Sequence, residues 1–229
     1  MRSEAPADYG EYKMGKGKYR FAELHYRVAG AGKRTELHYL RYFGKRDGNI
    51  LDAGCSVGNF IAHSPGRITG IDSDSRGVAE CRKRGFKAEE ADLNRGIPCA
   101  DGSFDNIHCW HVIEHLEDPL SFISELYRVL RKGGLLVLAT PDFSSAYRRF
   151  YDDPTHISPM TRESLRRGAL NAGFLQEKIS VSSQRRPVGM GRLYARGLIP
   201  ASAALLIEDI LYAAGPGRMR SGAVLEALK

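Results

Sequence analysis

The sequence predicts an α/β domain built on a mostly parallel sheet with helices on both faces. Two observations carry this. From residue 49 onward, short apolar strand segments alternate with helical segments at the spacing of βαβ units, which require parallel pairing and helix-covered faces. A glycine-containing turn directly follows the first strand, Asp52-Ala53-Gly54-Cys55-Ser56-Val57-Gly58. The 229 residues, 42% of them hydrophobic, suffice for the full core of one domain with a small appendage.

Asn49 to Ala53 reads as a short buried strand, and a helix is expected from Gly58 to His63, ended by Pro65-Gly66. Arg67 to Ile71 is the second strand. Ser75 to Arg84 is a helix closed by Gly85 in the manner of a C-cap. Lys87 to Ala91 is a weaker third strand and Phe104 to Cys109 a fourth. A helix spans Pro119 to Leu130, and Gly133-Gly134 opens the apolar strand Leu135 to Ala139. Thr161 caps a helix that runs to Ala172 and stops at Gly173. Phe174 to Val181 reads as a strand, Ala201 to Ala214 as the most apolar helix, and 223–229 as a last strand that completes the sheet.

Residues 1–47 are basic and rich in tyrosine and form a helical cover segment, with short helices expected at Ala22 to Val28 and Arg34 to Phe43. The core runs over 48–184, residues 185–220 form a helical insertion or lid between two strands, and 221–229 return to the sheet. Substrate lid, core packing, dimer contact and membrane surface all remain open for the helix at 200–214.

Composition excludes several classes. No apolar run approaches the ~18 residues of a membrane span, and Met1 to Pro6 lacks the apolar stretch of a signal peptide, so a cytoplasmic protein is expected. Cys55, Cys81, Cys99 and Cys109 include no C-x-x-C pair, so neither a metal site nor a disulfide framework is expected. The net charge of +7 lies in patches, chiefly Lys13 to Arg20, Lys33 to Arg46 and Arg185 to Arg196. Such patches suit a solvated face, an anionic acceptor or a nucleic acid, and the last is not excluded.

The turn after the first strand holds the chemistry. Glycine serves where the backbone turns sharply or a ligand approaches closer than a β-carbon allows. The P-loop ending Gly-Lys-Ser/Thr is missing. So are the second and third glycines of the dinucleotide pattern, with Ser56 in the second place. The second strand instead ends in Gly70-Ile71-Asp72, where a carboxylate can accept both ribose hydroxyls of an adenosine-containing ligand.

Five blocks in order then resemble the class I S-adenosylmethionine-dependent methyltransferases, nearest the small-molecule subgroup that includes ubiquinone-biosynthesis-like enzymes. They are Ile50 to Gly58, Gly70-Ile71-Asp72, Ala91-Asp92-Leu93, Phe104-Asp105 through Val112-Ile113-Glu114-His115-Leu116, and Leu130 to Leu135. The resemblance covers Asn49 to Phe174. It implies a Rossmann-like seven-stranded sheet whose final strand is antiparallel. It also implies S-adenosyl-L-methionine as cofactor, with Asp52, Gly54, Ser56 and Gly58 around its methionine part and Asp72, with Ser73 beside it, on the ribose diol. Asp92 then takes the adenine amino group, Leu93 packs beside the ring, and His108 to His111, including Trp110, lie near the sulfonium. Ser56 departs from the family's glycine, and serine keeps the turn if φ there is ordinary.

Methyl transfer from a sulfonium is mainly a problem of alignment, and a base is needed only for acceptors protonated at neutral pH. His156 and His111 are the catalytic candidates on the acceptor side. His115 reads as structural. Tyr12, Tyr19, Arg20, Phe21 and Tyr26 form a pocket cover, and Arg148 and Arg149 suit an anionic acceptor. The region His108 to His111 lacks the Pro-Pro block of many DNA and protein-amide methyltransferases. The expected reaction is therefore methylation of an oxygen or nitrogen of a small molecule, with RNA or protein as the alternative acceptor and a homodimer left open.

Overall fold

The computed structural model describes residues 13–14, 17–18, 31–183, 193–194, 196–214 and 222–229. The expected helix Ala22 to Val28, the cover residues Tyr12, Tyr19, Arg20, Phe21 and Tyr26, and the basic stretch from Arg185 to 192 lie outside the described residues.

Seven strands form one sheet: β1 (Ile50–Ala53), β2 (Ile68–Asp72), β3 (Lys87–Glu90), β4 (Phe104–Trp110), β5 (Leu130–Pro141), β6 (Ile179–Ser183) and β7 (Gly222–Leu228). Their order is β3-β2-β1-β4-β5-β7-β6. β1 pairs in parallel with β2 and β4, β2 with β3, and β4 with β5. β7 runs antiparallel to both neighbours, β5 and β6. The order reverses between β1 and β4, the switch point where open α/β sheets bind ligands beyond the carboxyl ends of their strands.

The helices are α1 (Ala31–His38), which continues into a wider π turn at Tyr39–Phe43, then α2 (Ser75–Lys83), α3 (Pro119–Val129), α4 (Phe143–Phe150), α5 (Arg162–Ala172) and α6 (Ala201–Ala214). Their ends follow from local chemistry. Asp74 caps α2 by accepting from Arg76 N–H, and Asp118 caps α3 with Pro119 in the first turn. Thr161 and Ser164 form a reciprocal capping box on α5, and Gly173 ends it in the left-handed conformation at φ 112°.

The structure differs from the sequence expectation at four places. The helix expected from Gly58 is reduced to turns and a single 3-10 turn, Ile61–His63, because Pro65-Gly66 leaves no room for a second hydrogen-bonded turn. The strand expected from Phe174 begins only at Ile179, after a 3-10 turn at Gln176–Lys178. β5 starts at Leu130, so the strand continues directly from α3. Helix α4 was not foreseen; Asp142 starts it by accepting from Ser144 N–H and Oγ.

Strand alternation builds two cores. Leu51, Ile107, Leu136, Leu138 and Leu225 face one side and pack with Phe122, Ile123 and Leu126 of α3 and Leu165 and Ala169 of α5. Ile50, Ile68, Val137, Ala139 and Val224 face the other side with Phe43, Phe60 and Ile61. Period-two patterning of this kind fixes strand register, since a slip of one residue would exchange the faces. Helix α6 rests on α1 through Leu37 and Ala204, and Arg41 pairs with Glu208 at 2.9 Å and Asp209 at 2.7 Å. Among the described residues, no helix is long and apolar enough to cross a membrane.

Leu136 is fully buried in a central strand. Leu136→Ala is expected to cost about 2–5 kcal/mol, measured as a lowered urea midpoint with an unchanged slope.

Candidate active site

The turn after β1 folds back across the end of β2. Gly54 N–H and Cys55 N–H both donate to Ile71 O, at 2.8 and 3.1 Å. Three residues within five positions have positive φ: Gly54 at 82°, Ser56 at 48° and Gly58 at 77°. A Cβ on Gly54 would collide with Val112 Cγ2, and one on Gly58 would lie 2.8 Å from the Phe86 ring and 2.9 Å from Cys81 Sγ. Both glycines are therefore required twice over, for conformation and for space.

Ser56 corrects the expectation of an ordinary φ. It occupies the left-handed region, which costs a residue with a β-carbon roughly 1–2 kcal/mol. Its N–H donates to Asp72 Oδ2 at 2.7 Å, a charge-assisted bond that offsets the strain. Asp72 Oδ1 accepts from Asp74 N–H at 2.9 Å. The Asp72 carboxylate is thus oriented by two backbone donors. Burial nonetheless raises its pKa above the usual aspartate value, and the two donors only partly oppose that rise. Ser73 beside it is exposed.

Ala91 N–H donates to Asp72 O at 3.0 Å, which brings the ends of β2 and β3 together. Asp92 follows on the surface, where its Oδ1 accepts from Asn94 N–H and starts the 3-10 turn Leu93–Arg95. Leu93 turns into the core with 6% of its surface exposed.

On β4, His108 Nδ1 lies 2.7 Å from Asp52 Oδ1, and both residues are buried. The His108 ring stacks on Phe60, with centroids 3.8 Å apart and planes at 7°, and lies 5.6 Å from Trp110, which in turn stacks on His38 at 3.9 Å. The structure therefore seats His108 inside an aromatic stack that braces Asp52. Its Nε2 is buried with no hydrogen-bond partner among the described residues.

His111 directly follows β4, with φ at 57°. Its Nδ1 lies 3.0 Å from Glu114 Oε1, and Glu114 Oε2 accepts from Thr140 Oγ1 at 2.9 Å. Glu114 is fully buried. Burial pushes its pKa up, but the hydrogen bond and charge of His111, with His115 behind it, prevail and hold the carboxyl below its usual value.

The segment after α4 docks on the same turn, because Ile157 N–H and Ser158 N–H both donate to Glu114 O, at 2.9 and 3.0 Å. That contact sets His156 beside His115, with ring centroids 4.8 Å apart. The structure thus brings together Asp52, Gly54, Ser56, Gly58 and Asp72 as one group and His111 and His156 as another. Glu114 joins the two histidines. Sequence reasoning passed over Glu114 as part of a family block; the available signal was an acid embedded in the apolar run Val112 to Leu116. Arg148 and Arg149 lie exposed on α4.

A family model described as a methyltransferase domain matches residues 23–177. A probable S-adenosylmethionine-dependent methyltransferase of Mycolicibacterium smegmatis is 32% identical over 174 residues, which are 72% of this chain and 63% of that protein. A ubiquinone biosynthesis O-methyltransferase of Sodalis glossinidius is 27% identical over 107 residues, 43% of this chain and 42% of that protein. Among solved structures, an S-adenosylmethionine-dependent methyltransferase of Thermotoga maritima, described as a possible histamine N-methyltransferase, superposes with a TM-score of 0.64 at 19% identity. It covers 91% of this chain and 96% of its own. The chain spans 43% to 63% of the length of the first curated relatives it matches.

The chain belongs to the methyltransferase-domain family, and its sheet is the Rossmann-like sheet of the S-adenosylmethionine-dependent members. S-Adenosylmethionine is the cofactor that this membership assigns.

Gly54→Ala is expected to destabilise the protein by more than the 1–2 kcal/mol of a strained φ, because its methyl also meets Val112. Adding Val112→Ala should recover the steric part and leave the conformational part, measured as a double-mutant cycle in urea.

Proposed function

We propose that the chain transfers the methyl group of S-adenosylmethionine to an oxygen or nitrogen of a small molecule. The observation that carries the acceptor side is the hydrogen-bonded chain from buried Thr140 and Glu114 to the partly exposed His111, at the carboxyl end of β4. It adjoins the glycine turn at the switch point of the sheet.

The residues present fit the cofactor. Gly54 and Gly58 leave a cradle that a β-carbon would fill. Asp72 offers a carboxylate already oriented by Ser56 and Asp74, suited to two ribose hydroxyls. Asp92, on the neighbouring strand end, is the group for the adenine amine, with Leu93 beneath it. Asp52 and Ser56 border the methionine part, and His108 and Trp110 support that wall. Bound S-adenosylmethionine supplies an electrophilic methyl on a sulfonium, so the protein's task is to align the acceptor and exclude water.

His111 is the base in this reading. Its Nδ1–H donates to the ionised Glu114, which fixes the tautomer and leaves Nε2 as the proton acceptor. An acceptor oxygen or nitrogen that takes the methyl, with the methyl–sulfur bond breaking to release S-adenosylhomocysteine, would lose its proton to His111 Nε2, and Glu114 would stabilise the imidazolium. His156 lines the same side of the acceptor. The exposed Arg148 and Arg149 favour an acceptor bearing a carboxylate or phosphate. The ubiquinone-biosynthesis relative, by its name an O-methyltransferase, supports a hydroxyl acceptor. We place the protein in the cytoplasm and read α6, between β6 and β7, as a helical insertion or lid.

Asp72→Ala should weaken S-adenosylhomocysteine binding about 10- to 100-fold, read by calorimetry; unchanged affinity would remove Asp72 from the ribose. His111→Ala should leave that affinity intact and lower kcat about 10²- to 10⁴-fold, read as S-adenosylhomocysteine release during a screen of hydroxylated and amino acceptors.

A further inference from the structure

We propose that Glu114, His115 and His156 form a binding site for a zinc-class divalent metal ion. One ligand atom from each of the three lies within 4.8 Å of the others. The ligand set, two imidazoles and one carboxylate, is one that zinc and its first-row neighbours favour, and it leaves a coordination position for water or an acceptor oxygen.

Three features prepare these side chains for an ion. Both histidines are held from behind. His156 Nδ1 lies 2.7 Å from Phe150 O and His115 Nδ1 lies 3.1 Å from Thr155 O. A carbonyl accepts only from a protonated nitrogen, so each ring carries its hydrogen on Nδ1 and presents a lone pair on Nε2. This is the outer-shell arrangement that orients metal-binding histidines. Glu114 supplies a buried negative charge with one hydrogen bond on each oxygen, and a carboxylate has about four lone-pair sites to offer. Asp153 Oδ2 lies 3.8 Å from His156 Nε2 and adds a second carboxylate at the open side.

The gap to coordination geometry is small. Ligand atoms around a tetrahedral zinc lie roughly 3.3 Å apart. The widest separation exceeds that by about 1.5 Å, and the partly exposed His115 and His156 close it by small rotations about their Nδ1 anchors. The sequence conceals the site because His156 lies far along the chain from the Glu114-His115 pair. Docking of the segment after α4 onto Glu114 O, His115 and Leu116 O brings them together. An ion here would sit next to His111 through the shared Glu114, where it could polarise an acceptor oxygen. Binding itself does not depend on the identity of the acceptor.

The test is equilibrium dialysis of the full-length protein against Zn²⁺, with Co²⁺ as a visible-absorption probe. One equivalent should bind, and bound Co²⁺ should show the intense bands of a four-coordinate site. His115→Ala and His156→Ala should each weaken binding more than about 100-fold, while His63→Ala, remote from the cluster, leaves it unchanged. Circular dichroism of each variant separates loss of a ligand from loss of fold, and S-adenosylhomocysteine affinity, read in parallel, reports on the cofactor site independently. Absence of saturable Zn²⁺ binding by the wild type overturns the proposal, as does binding that survives both histidine substitutions.

Discussion

Everything at the ligand-binding end of this sheet hangs on the hydrogen bond from Ser56 N–H to the Asp72 carboxylate. It joins the turn after β1 to the tip of β2, and it makes a left-handed serine tolerable in the middle of that turn. The two glycines on either side supply the remaining curvature at no steric cost. Helix α2 begins against the same turn: a β-carbon at Gly77 would stand 2.9 Å from Ser56 O. At the other end of α2, Arg84 reaches back to Val57 O at 2.6 Å. The result is a cradle made almost wholly of backbone, in which one acidic side chain fixes the loop.

A second junction lies on the other side of the switch point. Glu114 accepts from His111 and Thr140 with its side chain, while its carbonyl receives two amides of the segment after α4. One buried residue thus links β4, β5 and the loop that carries His156. Burying a charge without partners would be prohibitive, and here each oxygen has one. The positive φ of His111 beside it is the kind of local strain that persists where surrounding contacts over-determine the backbone.

Much of this was legible beforehand. The alternation of apolar strands with capped helices defined the sheet, and Thr161, Ser164 and Gly173 marked the limits of α5 because capping chemistry is local. The glycine turn and Asp72 were found from spacing and residue type alone. What escaped was non-local. The φ of Ser56 depends on a carboxylate sixteen residues away in sequence. His108 looked like a pocket residue, yet it is buried between Phe60 and Trp110, a stack that only the packing of distant segments can reveal. Helix α4 was missed for a different reason: Phe143–Phe150 is short and carries serines and arginines, so its signal lay in the Asp142 cap rather than in its periodicity.

The place of β7 has a consequence for how such a chain is made. It fills the slot between β5 and β6 although it is synthesised after both, and after α6. Until it arrives, β5 and β6 each present an unpaired edge, and β6 has no other partner in the sheet. Pairings between segments so distant in sequence close slowly, and open edges invite foreign strands. The five parallel strands, with the glycine turn among them, are therefore all made before the strand that joins β6 to them.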